Sequence, residues 1–217
     1  PLRRQRQMCI RDRKKCVLFV ILEPYADWEA AYLSSALYML GRGRFEVKTV
    51  SLTREPVASI GGFRVLPDYD INSVPSTYEA LVLIGGLAWR NEEARRIRPL
   101  VEQCRENGKV LGGICDAAAF LGTVGALNDA YHTGNDLNDL KQWSGEAYTG
   151  EQRYVMKQAV RDGKIITANG TAPLEFAKEV LFALEAAPEK IITEWYDFHK
   201  LGCYNAEMPQ DATSWND

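Results

Sequence analysis

The sequence predicts an α/β protein with a mostly parallel sheet and helices on both of its faces. Continuous apolar runs, such as residues 15–22 and 109–114, have the composition of strands that are buried on both sides. Helical patterns separate most of these runs, and this alternation is typical of a parallel sheet with crossover helices. Residues 57–66 contain two short apolar pieces around Gly61-Gly62, which predicts a small β-hairpin excursion from the main sheet.

The predicted elements follow from local patterns. Strands are assigned where β-branched and aliphatic residues form a continuous run, and helices where capping or breaking residues bound a longer pattern. In chain order the strands are residues 15–22, 45–52, 80–84, 109–114, 154–160 and 164–168, and the helices are residues 28–40, 99–107, 117–122, 136–143, 174–186 and 189–201.

Capping and turn residues set the limits of these helices. Asp27 is the expected N-cap of the first helix, and Gly41 ends that helix. Pro99 suits the first turn of the second helix, and Gly108 closes it. Pro173 has the same place at the start of the long helix near the C-terminus.

The chain divides into three parts by composition. Residues 1–13 contain five Arg and no apolar period, so we expect a non-native basic extension that resembles a translated sequencing adapter. Residues 14–204 carry all the predicted elements and form a single domain. Residues 205–217 form a C-terminal tail.

The amino-acid composition, the net charge and the longest apolar run argue against several classes of function. A hydrophobic content of 46% with 25% charged residues is that of an ordinary globular protein. The net charge of -3 gives no reason to expect a nucleic acid or an anionic membrane as a partner. The longest apolar run, residues 16–22, is too short to cross a bilayer.

The five cysteines indicate free thiols in a reducing cytoplasm. They are widely spaced and contain no C-x-x-C pair, so neither a disulfide framework nor a metal site is expected. Their positions are Cys9, Cys16, Cys104, Cys115 and Cys203. The glycine pairs do not follow the order strand, G-x-G-x-x-G, helix, which argues against a dinucleotide site, and we expect no cofactor.

Cys115 lies at the join between the strand 109–114 and the helix 117–122. A side chain on such a tight turn points away from the sheet, beside the free N–H groups of the new helix. That setting predicts a thiol pKa below the reference value of about 8.5 and hence a nucleophilic thiolate. The alternative is that Cys115 is a small buried hydrophobic residue.

Other candidate site residues lie where neighbouring strands end. The carboxyl ends of parallel strands meet in one crevice, so Glu29, Gly86 and His132 are candidates to lie near Cys115. Glu29 suits a general acid or base, and the Gly86 N–H with that of residue 116 suits an oxyanion hole. Asp136 is a candidate to orient His132, and so is Asp116.

Each of these candidates also has an ordinary structural interpretation. A first-turn glutamate such as Glu29 most often complements the helix dipole. The Gly85-Gly86 pair suits a plain tight turn. His132 suits a histidine of a surface loop.

The residues that carry these features resemble the ThiJ/PfpI superfamily, which includes the Parkinsonism-associated deglycase. The resemblance covers residues 14–204 and implies a flavodoxin-like α/β domain of the class I glutamine amidotransferase-like fold, assembled as a homodimer. The matching stretches are the strand 15–22, Asp27-Trp28-Glu29, Ile84-Gly85-Gly86, GGICDAAAFLG around Cys115, and NGTAPLEFAKEVLFAL at residues 169–184.

The resemblance implies a role for each candidate. Cys115 is the reactive nucleophile, and Glu29 is the acidic partner that hydrogen-bonds its sulfur. The N–H groups of Gly86 and Asp116 are the oxyanion donors. His132, in YHTGND, resembles the site histidine that some members carry in the loop after the nucleophile helix.

At two positions the sequence departs from motifs of the superfamily, and these departures argue against particular activities. The protease-like branch has a His directly after the Cys, whereas Asp116 stands there in this chain. Glutaminase subunits carry a late His-x-Glu, whereas His199 is followed by Lys200 and Leu201, which disfavours glutamine hydrolysis. The most similar branch is described as intracellular peptidase or amidase.

Three functions are compatible with these residues. The first is a cysteine-nucleophile hydrolase, or a glyoxalase- or deglycase-type enzyme, that acts on a small-molecule or peptide-like substrate with His132 moving the proton. The second is a non-enzymatic redox or stress sensor that uses an oxidisable Cys115. The third is a binding module without chemistry, which the negative charge of Asp116 beside the sulfur would favour.

Overall fold

The structure, a computed structural model, describes residues 14–207 and Pro209. The expected basic extension at residues 1–13 lies outside the described residues, and so does most of the expected tail at 205–217. The strands are β1 (Lys15–Val20), β2 (Phe45–Ser51), β3 (Val57–Ala58), β4 (Arg64–Val65), β5 (Tyr69–Asp70), β6 (Ala80–Leu83), β7 (Val110–Ile114), β8 (Ala159–Asp162) and β9 (Ile165–Ala168). The α-helices are α1 (Asp27–Met39), α2 (Arg98–Glu106), α3 (Asp116–Thr123), α4 (Leu137–Ser144), α5 (Pro173–Ala183) and α6 (Glu189–Leu201).

The sheet is mostly parallel, as the sequence predicts. Within the described residues, seven strands run in the order β5-β2-β1-β6-β7-β9-β8. Neighbouring strands are parallel except β8 and β9, which are antiparallel. β3 and β4 form a separate antiparallel hairpin. The predicted flavodoxin-like α/β architecture with a hairpin excursion is therefore confirmed.

Helices cover both faces of this sheet because the central strands are apolar on both sides. In β1, Val17 and Phe19 face one core, and Leu18 and Val20 face the other. Burying each such side chain contributes roughly 1.5–3 kcal/mol. The first core is completed by α1, α5 and α6 through Leu33, Phe176 and Trp195. The second is completed by α2, α3 and α4 through Leu100, Phe120 and Leu140.

The strand order places a crevice at the carboxyl ends of the central strands. The connection from β1 leads to β2 on one side, while β6 and β7 lie on the other side. Such a reversal leaves space between the loops that leave the two directions, and α/β proteins bind ligands there. The segments that follow β1, β6 and β7 therefore converge, and the candidates Glu29, Gly86 and Cys115 lie on them in that order.

The first helix begins one residue earlier than predicted. Its N-cap is Ala26 rather than Asp27, so the predicted cap is wrong. The Asp27 carboxylate instead accepts a hydrogen bond from the Ser59 hydroxyl at 2.7 Å, which ties the β3–β4 hairpin to the start of α1. The Asp27 side chain is therefore bound to the distant residue Ser59 and does not cap the helix.

Two strand predictions also differ from the structure. The predicted strand at 154–160 overlaps β8 only at its end, because Tyr154 and Val155 pair with the segment at His132, where the Val155 N–H donates to the His132 carbonyl at 2.8 Å. The sequence analysis also missed β5, which pairs with the end of β2 over Tyr69 and Asp70. A two-residue strand has no period that a sequence pattern can show.

The helices of residues 14–207 are all too short or too polar to cross a lipid bilayer.

Candidate functional site

Cys115 occupies a sharp turn between β7 and α3. Its backbone has φ 60° and ψ -133°, a conformation that non-glycine residues rarely adopt. The turn is held by its neighbours, since the Cys115 N–H donates to the Ala168 carbonyl at 3.0 Å and the Cys115 carbonyl accepts from the Ala118 N–H at 3.0 Å. This strand-to-helix geometry is that of a nucleophile elbow, and it leaves the side chain half-buried in the crevice.

Glu29 lies against the sulfur of Cys115. Its side chain is fully buried, and its Oε2 accepts a hydrogen bond from the Gly85 N–H at 2.9 Å. Its Oε1 has no hydrogen-bond partner among the described residues. This oxygen and the Cys115 sulfur lie close together, since a methyl group on Gly170 would be 3.4 Å from Oε1 and 2.9 Å from Sγ. A methyl group on Gly85 would lie 2.3 Å from Glu29 Oε2 and 2.6 Å from Cys115 Cβ, so this close packing requires glycine there.

Asn135 and Gly170 complete the surroundings of the sulfur, and the sequence analysis missed both. The Asn135 side-chain amide donates to Cys115 Sγ at 3.4 Å, and its Oδ1 accepts from the Gly170 N–H at 2.8 Å. A methyl group on Gly170 would lie 2.9 Å from Cys115 Sγ. Both residues lie in stretches that resemble the family, Asn135 in YHTGND and Gly170 in residues 169–184, and this resemblance could have identified them as site residues.

Burial dominates the acid–base properties of this pair. It raises the pKa of Glu29 to about 7, although the hydrogen bonds from Cys115 and Gly85 lower it. It also raises the pKa of the Cys115 thiol, which the Asn135 amide lowers and the negative charge of Glu29 raises further. The predicted depression of the thiol pKa is therefore wrong, because desolvation outweighs the helix N-terminus.

The two expected oxyanion donors lie on either side of the elbow. The Asp116 N–H hydrogen-bonds to Cys115 and lowers its pKa. Gly86 has φ 147°, and a side chain there would collide with the Pro24 carbonyl at 2.3 Å. In the part of the chain that the structure describes, the Gly86 N–H has no acceptor. The Gly85 N–H, by contrast, is occupied by Glu29.

The Asp116 side chain is paired with Arg90. The Arg90 Nε donates to Asp116 Oδ2 at 2.9 Å, and the same guanidinium also contacts Asp139. The hydrogen bonds that Arg90 donates to Asp139, and next those to Asp116, raise the pKa of Arg90. The carboxylate next to Cys115 is thus not an isolated charge.

His132 does not hydrogen-bond to the sulfur, although the sequence analysis placed it in the catalytic set. Its ring is fully buried, with Nδ1 2.8 Å from the Ala130 carbonyl and Nε2 2.6 Å from the Tyr148 hydroxyl. Burial lowers the pKa of His132, so the ring is neutral, and Nδ1 donates while the Tyr148 hydroxyl donates to Nε2. Both ring nitrogens are therefore occupied, and His132 anchors the loop that leads to Asn135.

Asp136 caps a helix instead of orienting His132. It is the N-cap of α4, and its carboxylate accepts the Asp139 N–H at 2.8 Å. This is a standard use of aspartate at a helix start, and it satisfies one of the free N–H groups there. The predicted orienting role of Asp136 is not supported by these contacts.

The Cys115 thiol and the Glu29 carboxyl are two neighbouring ionisable groups at the turn between β7 and α3. Among the described residues, no group of three or more His, Cys, Asp or Glu side chains is arranged to hold a metal ion. The described thiols of Cys16, Cys104, Cys115 and Cys203 are all free. Burial also raises the pKa values of Cys16 and Cys104 to about 11.

Comparisons with known proteins agree on one group of relatives. The sequence model of the DJ-1/PfpI family matches residues 15–183. A Bacillus subtilis protein named uncharacterized protease YdeA is 38% identical over 192 residues, which are 88% of this chain and 94% of that protein.

Two solved structures share the fold. A DJ-1 superfamily protein of Agrobacterium tumefaciens is 34% identical with a TM-score of 0.77, over 86% of this chain and 98% of that one. A thiJ/pfpI family protein of Bacillus anthracis is 30% identical with a TM-score of 0.80, over 87% of this chain and 91% of that one. The superimposed region includes most of the chain in each case.

Proposed function

Since the chain belongs to the DJ-1/PfpI family, we propose that it is an enzyme in which Cys115 attacks a small electrophilic carbonyl compound and Glu29 moves the proton. The observation that carries this proposal is the buried Glu29 Oε1, which has no hydrogen-bond partner in the described residues and lies with the Cys115 sulfur beside Gly170. An unpaired carboxylate oxygen in such a place is ready to take the thiol proton.

The acidity of Glu29 suits this task. A general acid or base works best when its pKa lies near the operating pH. Burial brings the pKa of Glu29 to about 7, so both of its protonation states are populated in neutral solution. Because the thiol pKa is raised, the proton leaves Cys115 as the sulfur attacks, with Glu29 as the base.

The first step forms one bond and moves one proton. The Cys115 sulfur bonds to the carbonyl carbon, the π electrons of the C=O group move to oxygen, and the thiol proton passes through Glu29 to that oxygen. The product is a hemithioacetal when the substrate is an aldehyde. In this proposal the N–H groups of Gly86 and Asp116 hold the oxyanion during the attack, which the Asp116 N–H hydrogen bond to Cys115 supports.

An α-oxoaldehyde is the substrate class that this machinery serves without further groups. The Glu29 carboxylate removes the proton from the former aldehyde carbon, and the electron pair of that C–H bond forms an enediol as the ketone oxygen takes up a proton. Glu29 then returns its proton to the adjacent carbon while the hydroxyl group on the sulfur-bearing carbon loses its proton, so that two protons have moved in all and the product is a 2-hydroxy thioester. Water then releases a 2-hydroxy acid and restores the thiol, so the net reaction adds one water to the oxoaldehyde. No imidazole is needed at the sulfur, in agreement with the engagement of both His132 nitrogens.

Amide cleavage is the alternative reaction of the same nucleophile. It requires a proton for the leaving amine, and Glu29 is the group that would have to supply it. The relative from Bacillus subtilis is named a protease. The experiment therefore includes peptide substrates.

The test compares turnover of methylglyoxal, of peptidyl p-nitroanilides and of casein by the wild type and by Cys115→Ser. Formation of lactate that Cys115→Ser abolishes, with no anilide or casein cleavage, is the expected result. Cys203→Ser removes an exposed free thiol and is the matched control. Absence of Cys115-dependent lactate would overturn the oxoaldehyde assignment, and Cys115-dependent anilide cleavage would replace it with an amidase.

A redox sensor is the second candidate, and the donors around the sulfur favour it. A peroxide would transfer one oxygen to the thiolate and release water, and a second peroxide would give the sulfinate. The Asn135 amide and a protonated Glu29 would then both hydrogen-bond the new oxygens. Peptide mapping after peroxide treatment would show gains of one and two oxygens at Cys115 that exceed those at Cys203.

We also propose a cellular compartment, an oligomeric state and a partner for the protein. Free thiols at Cys16, Cys104, Cys115 and Cys203 support a reducing cytoplasm. A homodimer is proposed from the family resemblance, and sedimentation analysis of the purified chain would test it. A small molecule is the proposed partner of the Cys115 crevice.

A further inference from the structure

Arg90 links three separate segments at the elbow. It lies in the loop after β6, and its guanidinium grips the carboxylate of Asp116, the residue that follows the nucleophile. The two contacts are Nε to Oδ2 at 2.9 Å and Nη2 to Oδ1 at 3.3 Å. This two-point geometry matches a planar guanidinium to a planar carboxylate, which lysine cannot do.

The opposite edge of the guanidinium is held as well. Arg90 Nη1 donates to Asp139 Oδ1 at 3.0 Å and Nη2 to Asp139 Oδ2 at 2.5 Å, both on α4. The Trp143 ring lies under its face, 4.8 Å from the guanidinium carbon to the ring centroid. Arg90 is therefore fixed in place although 42% of its side chain is exposed.

The ion pair between Arg90 and Asp116 bears on Cys115, because Asp116 is the next residue in the chain. A carboxylate at the first position of α3 stabilises that helix, but it also lies beside the sulfur at which negative charge must develop. The charged side chains that bear on Cys115 are Glu29 from α1 and Asp116 from α3, and both oppose a thiolate. Arg90 is the cation that contacts one of them.

We propose that Arg90 is a positioning residue that neutralises Asp116 and so keeps the Cys115 thiol reactive. It touches neither the sulfur nor a substrate, and it acts through Asp116. This inference deepens the proposed function and rests on it, but it concerns the thiol itself. A measurement of thiol acidity therefore tests it whether or not any substrate is turned over.

The experiment measures the rate of iodoacetamide alkylation of Cys115 against pH, with peptide mapping to separate the other cysteines. Three variants are compared with the wild type: Arg90→Met, Asp116→Asn and the double variant. Arg90→Met keeps the aliphatic stem over Trp143 but removes the charge. Asp139→Asn is the matched control, because it removes the outer carboxylate and leaves the Arg90–Asp116 pair in place.

The expected result is opposite shifts. Arg90→Met raises the midpoint of alkylation by about 0.5 to 1 pH unit, since it leaves the Asp116 charge uncompensated beside the sulfur. Asp116→Asn lowers the midpoint, and in the double variant most of the Arg90→Met effect disappears. Asp139→Asn does not raise it.

Two outcomes would overturn the inference. The first is an Arg90→Met midpoint equal to that of the wild type. The second is a raised midpoint that Asp116→Asn does not relieve, which would make Arg90 a purely structural contact. If Arg90→Met does not fold, Asp116→Asn alone decides, because an unchanged or raised midpoint in that variant contradicts the proposal.

Discussion

The side-chain amide of Asn135 reaches the sulfur of Cys115 at 3.4 Å, from a loop that lies 20 residues further along the chain. The other end of the same amide accepts the Gly170 N–H at 2.8 Å, which sets its orientation. The amide therefore presents its donor, and not its acceptor, to the reacting atom. The loop after α3 and the segment before α5 are both needed to place this one hydrogen bond.

Replacing Asn135 by Ala should make the Cys115 thiol less acidic. A hydrogen bond to a charged group contributes about 1.5–3 kcal/mol, so the alkylation midpoint is expected to rise by about one pH unit. Asn128→Ala is the control. The Asn128 amide likewise donates one hydrogen bond and accepts one from a backbone N–H, but its partners are Ala147 and Thr149 and not the sulfur. Equal midpoints in Asn135→Ala and Asn128→Ala would show that the amide does not act on the thiol.

Replacing Glu29 by Gln should separate thiol acidity from turnover. The negative charge of Glu29 raises the pKa of Cys115, so its removal should lower the alkylation midpoint. Turnover should nevertheless fall by about 10²- to 10⁴-fold, because the general acid and base is lost. The two measurements are alkylation against pH and lactate formation from methylglyoxal. A variant with unchanged turnover would remove Glu29 from the proposed mechanism.

Glu29 should also make the protein less stable as the pH rises. Its pKa is about 7 in the folded protein against an ordinary value of 4.5. Between these values the folded state holds more protons than the unfolded state, so the free energy of unfolding decreases as the pH increases through this window. The loss is on the order of 3 kcal/mol, and Glu29→Gln should abolish it.

Urea unfolding of both proteins from pH 4.5 to 8 measures this effect. His132 has the opposite influence, because burial lowers its pKa and its stabilising contribution is lost as the pH falls. The difference between the wild type and Glu29→Gln cancels that contribution. A difference that does not vary with pH would mean that Glu29 titrates normally.

A methyl group on Gly170 should block the sulfur. It would lie 2.9 Å from Cys115 Sγ and 3.4 Å from Glu29 Oε1, so Gly170→Ala is expected to slow alkylation of Cys115 at least about tenfold. Gly134→Ala is the control, since a methyl group there meets no atom within 4 Å. If Cys115 were alkylated as fast in Gly170→Ala as in the wild type, the packing of Gly170 over the sulfur would be contradicted.

His132 should matter for stability more than for proton transfer. His132→Ala removes a buried ring and leaves the Tyr148 hydroxyl unpaired, at an expected cost of about 2–4 kcal/mol in the free energy of unfolding. Tyr148→Phe loses only the hydrogen bond, at about 1 kcal/mol. Urea unfolding measures both costs. A fully stable His132→Ala variant without turnover would return His132 to the catalytic set.

Local pattern was sufficient for the layout of the fold. The apolar run of β1 is buried on both faces, and Gly61-Gly62 lies between the strands of a hairpin. The same holds for the elbow, because a strand that ends at Ile114 and a helix that starts at Asp116 leave Cys115 at the turn. These features depend on neighbours in sequence, whose periodicity is readable.

The composition of the site depended on long-range packing. His132 was expected at the sulfur because of its residue type, yet Ala130 and Tyr148 occupy its ring. Asn135, three residues later, takes the place beside Cys115. A one-dimensional pattern does not show which side of a loop faces the crevice, since that is decided by the segments packed against it.

The sequence by itself determined that the chain alternates central strands with helices, and that Cys115 stands at the turn between a strand and a helix. Only the tertiary structure decided the protonation behaviour of that cysteine. The helix N-terminus favours a thiolate locally, but the burial of Glu29 and Cys115 in the folded protein raises both pKa values. Desolvation and charge act through space, so they depend on which residues the fold brings together and not on their order in the chain.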